Sequence, residues 1–296
     1  MHFTSGLSVP EGPVLLPDGS FLCVEMGPDR GCVTHISADG QSKRIIAKTG
    51  RPNGLALDKE GNIWVAESMK PAPCLIRMTM DGEKEVFLTE CDGEKFLFPN
   101  DLAFGPDGAL YMTDSGIKFE DFAPGGKIRP DWETVPIDGR VYKIDVHTKR
   151  IRKLVSGIRF TNGIAFGPSD NLYVNETLTG MIYRYEWRDG EVGPQEDFGN
   201  VNDPGGPEGL KGPDGMKFGA NGHLYVTVII QGDVTVLGPE GSVVHRIKTE
   251  GNFPTNLCFG PPGSKKIYVT EDEKGTMEVF DVDTDGLPLY TGEVKK

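Results

Sequence analysis

Six residues that can offer oxygen donors recur at one place in a repeated pattern. Glu11, Asn53, Asn100, Asn162, Asp214 and Thr255 each stand one residue into a segment that begins at residue 10, 52, 99, 161, 213 or 254. Carboxylates and carboxamides gathered in a narrow, poorly hydrated space repel one another or stay unsatisfied unless a cation sits between them. A hard divalent ion meets that need, because Ca²⁺ accepts carboxylate, amide and water oxygens in flexible geometry. Such an ion polarises a carbonyl oxygen for attack by water. Taken singly, Asn53-Gly54 and Asn162-Gly163 read as turn dipeptides. Glu11 is a poor turn residue in the same register, so turn chemistry does not account for the set. No His falls at these positions: His2, His35, His147, His223 and His245 are dispersed, which argues against a His-rich transition-metal centre and a Ser-His-Asp triad. Ser115, beside Asp114, reads as a polar loop residue rather than a nucleophile.

The elements that must position these residues are visible as a repeat. PEGPVLLPDGSFLCVE, PNGLALDKEGNIWVAE, PNDLAFGPDGALYMTD, TNGIAFGPSDNLYVNE, PDGMKFGANGHLYVTV and PTNLCFGPPGSKKIYVTE share one form. Each has a polar start, an alternating apolar strand, a Gly-rich turn and a second strand, which is a β-hairpin. Two more strand-like segments follow most hairpins, as in Leu75–Met78 and Glu85–Leu88. The pattern predicts an all-β protein: a six-bladed β-propeller with four antiparallel strands per blade, one domain over residues 1–296. The first strand of each blade lines the central channel, so the six polar positions converge on one mouth of a tunnel. The ends of the second strands, Glu25, Glu67, Asp114, Glu176, Val228 and Glu271, fall at the same edge, because the two ends of an antiparallel hairpin meet there. Of the residues at this edge, Asn53 and Asp114 are read as facing substrate. Residues 1–8 and Leu289–Val294 are both candidates for the outermost strand that closes the ring.

The composition agrees with many short strands joined by turns: 40 Gly and 22 Pro, with 37% apolar residues. A formal net charge of −13 opposes nucleic acid and anionic membrane as partners. The remaining expectation is a small-molecule ligand and a monomer or small homo-oligomer. The five Cys form no Cys-x-x-Cys pair and read as reduced thiols of a cytoplasmic protein. The first residues show no signal-peptide pattern, and no run of about 18 apolar residues occurs.

With these motifs in hand, the chain resembles the senescence-marker-protein-30/gluconolactonase/luciferin-regenerating-enzyme family over nearly its whole length. The matching motifs are PEGPV around Glu11, PND around Asn100, TNGIAF around Asn162, PDGMKF around Asp214, and PTNLCFG with IYVTE in the last repeat. The resemblance implies a tunnel metal held by Glu11, Asn162 and Asp214, with Asn100 on substrate or metal and Asp214 as general base. It also implies Ca²⁺ as the usual ion, with Zn²⁺, Mn²⁺ or Mg²⁺ able to substitute, and hydrolysis of a sugar-acid or related lactone. Animal members carry an Arg two residues before the substrate-binding Asn, where this chain has Phe98, so the resemblance points to lactones as a class rather than to gluconolactone itself.

On this reading water attacks the lactone carbonyl while Asp214, or a hydroxide held by the cation, serves as base. Ile117 to Arg140, the longest interruption of the repeat, leaves from the same mouth and carries Phe119, Phe122 and Trp132, as a lid would. Residues 200–212 reach the same edge. Two other functions use the same architecture: hydrolysis of organophosphate or other esters at the same metal, and ligand binding without turnover around a structural metal.

Overall fold

The computed structural model describes residues 1–69 and 72–295. Six four-stranded antiparallel sheets form the blades of a β-propeller. Their innermost strands, in order from blade 1, are Pro10–Leu15, Pro52–Leu57, Pro99–Phe104, Thr161–Phe166, Gly212–Phe218 and Pro254–Phe259. Each inner strand packs on the next and the last packs on the first, which closes the tunnel wall. Blade 6 takes its outermost strand from the N-terminus: His2–Ser5 pairs with Thr276–Asp281. The C-terminal segment instead crosses the far end of the propeller, bridging blade 5 at Gly219 through Gly286 and blade 3 at Phe104 through Tyr290.

The apolar residues of each repeat pack between neighbouring blades rather than towards the axis. Leu22, Val24, Val65 and Ile76 fill the gap between blades 1 and 2. Trp64, Phe87, Phe104 and Tyr142 fill the next one. All five Cys are free and buried, and the thiols of Cys23 and Cys258 within the interface of blades 6 and 1 are pushed upward in pKa by that burial. With the hydrophobic faces covered this way, the inner strands can carry polar side chains on their axial side.

One irregularity repeats in every blade and decides where those side chains go. Pairing between the inner and second strands slips between Glu11 and Val14, Pro52 and Leu55, Pro99 and Leu102, Thr161 and Ile164, Pro213 and Met216, and Pro254 and Asn256. A slip of this kind bends the strand and re-aims a side chain. Here it falls at the ring position of each blade.

The slip also brings adjacent inner strands into close backbone contact, which explains the Gly that follows most ring residues. A Cβ on Gly54 would lie 2.6 Å from the Asn100 carbonyl oxygen and 2.6 Å from the Asp101 Cα. Neither atom can swing aside. Gly54→Ala is therefore expected to destabilise the protein by about 1–3 kcal/mol through overpacking, read as a lower midpoint in urea unfolding.

Candidate functional site

Glu11, Asn53, Asn100, Asn162 and Thr255 are all buried at one mouth of the tunnel, while Asp214 keeps part of its surface open. Their roles differ once the hydrogen bonds are followed. The Asn100 amide donates from Nδ2 to Ser115 Oγ at 3.0 Å, and the Asn162 amide donates in the same way to Thr177 Oγ1 at 3.2 Å. Ser115 and Thr177 each follow the second strand of their blade, and their hydroxyls donate onward to the Thr161 and Pro213 carbonyls. These chains fix which end of each amide is free. The Asn100 Oδ1 and Asn162 Oδ1 atoms are buried without a hydrogen-bond partner, as is Glu11 Oε2. Ser115 is thus the group that orients Asn100, a role its sequence context does not suggest.

A buried acceptor without a donor is costly, and native structures contain few. Asp214 lies beside two of these residues, since its charge acts on Glu11 and its carboxylate takes a hydrogen bond from Asn162, and Asn100 holds the equivalent ring position in blade 3. Burial raises the pKa of Glu11 well above the carboxylate range, and the charges of Asp214 and Asp101 raise it further; Asn256 hydrogen-bonds its carboxyl and opposes the shift. Burial and the charge of Asp101 likewise hold Asp214 high, against a hydrogen bond from Asn162 and the more distant charge of Arg51. This oxygen-only set of carboxylates and carboxamides fits a hard divalent cation, which would satisfy the orphaned atoms and relieve the repulsion.

Asp101 is the member of this cluster that sequence reading does not single out. It lies one residue past the ring, where blades 1, 2, 4 and 5 carry Gly12, Gly54, Gly163 and Gly215. Its carboxylate accepts the Leu102 N–H at 2.8 Å through Oδ1, while Oδ2 lies 3.8 Å from Lys217 Nζ. Lys217 occupies an inner-strand position at which the other blades have Val14, Ala56, Ala103, Ala165 and Cys258. The single ammonium offsets one of the three carboxylates Glu11, Asp101 and Asp214. Two negative charges remain, the complement of a divalent ion.

The other ring and edge residues differ from these in their contacts. Thr255 Oγ1 donates to the Pro10 carbonyl at 2.7 Å and joins blade 6 to blade 1. Asn53 is buried in the ring at 6% exposure, close to the inner strand of blade 1. Asp114, expected to face substrate, is fully buried and accepts the backbone N–H groups of Leu97, Phe98 and Gly116 at 2.8, 3.1 and 2.9 Å. Its oxygens are committed to the backbone and are not presented to the tunnel. The same device recurs: Glu25 accepts from Ser8 N, Glu67 from Arg51 N, Glu176 from Arg159 N and Glu271 from Phe253 N. Each carboxylate ties down the loop that leads into its own blade. Hairpin geometry places these residues at the correct edge, but only the hydrogen bonds separate clamps from site residues.

The mouth has two unlike walls. Over blades 3, 4 and 5, Phe122, Ala123 and Val135 of the insert pack with Phe98, Phe160, Leu178 and Leu210 into one apolar cluster. The insert contains a short helix, Phe119–Phe122, and Leu210 brings the 200–212 segment into the same cluster. On the side of blades 2 and 6 stand Arg51, Glu67 and Asp272. Burial and the Glu271 charge push the Asp272 pKa up to about 6. The Arg51 guanidinium lies 3.7 Å from the Phe119 ring centre and 5.3 Å from that of Phe98. A separate cavity of about 850 Å³ lies at the far end of the tunnel beneath the C-terminal segment, lined by Leu15, Phe104, Phe166, Phe218 and Tyr290 among others. It contains none of the ring residues, so this void is not where the polar chemistry is.

The SMP-30/Gluconolactonase/LRE-like family model matches residues 9–272, from the first inner strand to the end of blade 6's second strand. The chain belongs to this family. Among curated proteins, it is 27% identical to a diisopropyl-fluorophosphatase of Loligo vulgaris, covering 96% of this chain and 92% of that protein. It is also 27% identical to a gluconolactonase of Zymomonas mobilis, covering 86% and 73% respectively. A luciferin-regenerating enzyme structure shares the fold with a TM-score of 0.78 at 16% identity, covering 97% of this chain and 96% of the other. No helix among the described residues is long and apolar enough to cross a membrane.

Proposed function

We propose that this protein is a metal-dependent lactonase whose substrate is a sugar-acid or related lactone and whose ion is Ca²⁺. The observation that carries the reading is that Glu11, Asn100 and Asn162, each with an orphaned buried oxygen, share one ring of inner-strand positions with the partly open carboxylate of Asp214. Similarity to a gluconolactonase supports the lactone as substrate. Glu11, Asn162 and Asp214 hold the ion, with Asn100 on the ion or on a substrate oxygen beside it. When bound, the ion supplies the positive charge that polarises the scissile carbonyl. Asp214, the open member of the set, takes the proton of the attacking water, and Asn162 keeps its carboxylate in place through the amide hydrogen bond. The apolar wall of Phe98, Phe160 and Leu210 limits competing water on one side of the mouth.

The similarity to a diisopropyl-fluorophosphatase favours a second reading, hydrolysis of a phosphorus ester at the same residues. Acid release from γ- and δ-lactones, followed by pH-stat on EDTA-treated protein before and after Ca²⁺, Mn²⁺ or Zn²⁺ is restored, separates the two. Metal-restored opening of at least one lactone is the expected result. Tight metal binding with no lactone opened, and release of fluoride from a phosphorofluoridate, would replace the lactonase reading with the second.

A further inference from the structure

Arg51 is poorly paired for an arginine sunk into a binding mouth. Its backbone N–H is taken by Glu67 Oε1 at 2.7 Å, and its Nη1 donates to Ser68 Oγ at 3.0 Å. Among the described residues, no other hydrogen bond or ion pair engages the guanidinium. The Phe119 ring covers one face at 3.7 Å, and Phe98 stands 5.3 Å away. Stacking of this kind fixes the plane of a guanidinium and leaves its N–H edges free for a planar acceptor. Glu67, Asp272, Glu11 and Glu120 surround it at longer range, and its own charge acts on Asp214 and Asp272. Arg51 therefore belongs to the same electrostatic neighbourhood as the proposed base, while standing outside the oxygen cluster that would hold a cation.

We propose that Arg51, clamped by Phe119 of the insert, is an anion subsite: the substrate is a lactone that carries a second, oxyanionic group, which takes the free guanidinium edge while the lactone carbonyl lies over Asp214. A carboxylate and a phosphate monoester share this chemistry, since both accept paired N–H donors. The inference rests on the lactonase reading for the ring and on Arg51's own geometry for the anion. Its position also accounts for Phe98, whose apolar ring forms part of the wall against which the guanidinium is held.

The test compares wild type, Arg51→Gln and Arg51→Lys on gluconolactone, a glucaric acid monolactone and 6-phosphogluconolactone, with Ca²⁺ saturating. Loss of a charge-assisted contact predicts that KM in Arg51→Gln rises about 10–100-fold more for at least one anionic lactone than for gluconolactone, while any change that the lost charge makes at Asp214 is common to all three. Arg51→Lys is expected to recover part of the loss, and the anionic lactone that responds identifies the group. An equal loss on all three lactones would make Arg51 a scaffold residue, and no loss on any would remove it from the site; either overturns the proposal. If wild type opens none of them, calorimetry of gluconate, glucarate and 6-phosphogluconate on the Ca²⁺-loaded protein decides independently. Tighter binding of glucarate or 6-phosphogluconate than of gluconate that disappears in Arg51→Gln keeps the subsite while the lactonase reading falls. Equal binding of all three acids overturns the subsite as well.

Discussion

Asp214→Asn is expected to lower kcat/KM by about 10³-fold even with Ca²⁺ at saturation, since the amide cannot take up a proton from water. The replacement is nearly isosteric and leaves the inner strand of blade 5 intact, so the loss would not come from unfolding. The same change removes one negative charge facing a cation, and metal affinity is expected to fall at least ~100-fold. Glu11→Gln should weaken metal binding similarly, because Glu11 brings the other ring carboxylate and an orphaned oxygen. Asn53→Ala is the control: its amide oxygen is not among the buried ones left without a hydrogen-bond partner, and a far smaller loss is expected. Steady-state rates at saturating Ca²⁺, with calorimetric titration of the ion into each EDTA-treated variant, distinguish these outcomes. Full activity in Asp214→Asn would take Asp214 out of proton transfer.

Metal removal should invert the pH dependence of stability. Burial and mutual repulsion hold Glu11 and Asp214 protonated to a higher pH than in the unfolded chain, and Asp272 does so up to about 6 from an ordinary 3.8. Between each group's unfolded and folded values the native state binds more protons, so stability is gained as the pH falls through that window and lost as it rises. EDTA-treated protein is therefore expected to melt at a higher temperature near pH 5 than near pH 8. With Ca²⁺ present the carboxylates must be ionised to hold the ion, so protons compete with it and the advantage moves to the higher pH. An ion at 100 times its dissociation constant adds about 2.7 kcal/mol, a rise of roughly 4 °C for a chain of 296 residues. Thermal melts at both pH values, with and without Ca²⁺, give the sign directly. A metal-free protein that is more stable at pH 8 would mean that the carboxylates are relieved by something other than a cation.

The repeat determined much of this protein without any coordinates. A polar start, an alternating strand, a Gly turn and a second strand, written six times, admit few arrangements other than blades around an axis. The common register of Glu11, Asn100, Asn162 and Asp214 then places them at one mouth, because inner strands related by the repeat put equivalent residues at equivalent depth. Two further members were visible as misfits within their columns: Asp101 where four other blades have Gly, and Lys217 where the rest are Val, Ala or Cys. They go unremarked when only the ring column is read. Tertiary structure alone decided the rest, since hydrogen bonds across blades and loops leave no periodic trace. Asp114 and Asn100 lie at the same edge of one hairpin, yet Asp114 is consumed by three backbone N–H groups while Asn100 is turned by Ser115 to leave its oxygen bare. The ring is closed by His2–Ser5 rather than Leu289–Val294, a choice between two short terminal segments that pairing with Thr276–Asp281 settles. Arg51 reaches Phe119 across 68 residues of sequence, and only the packing of the insert on the mouth brings the cation and the ring together.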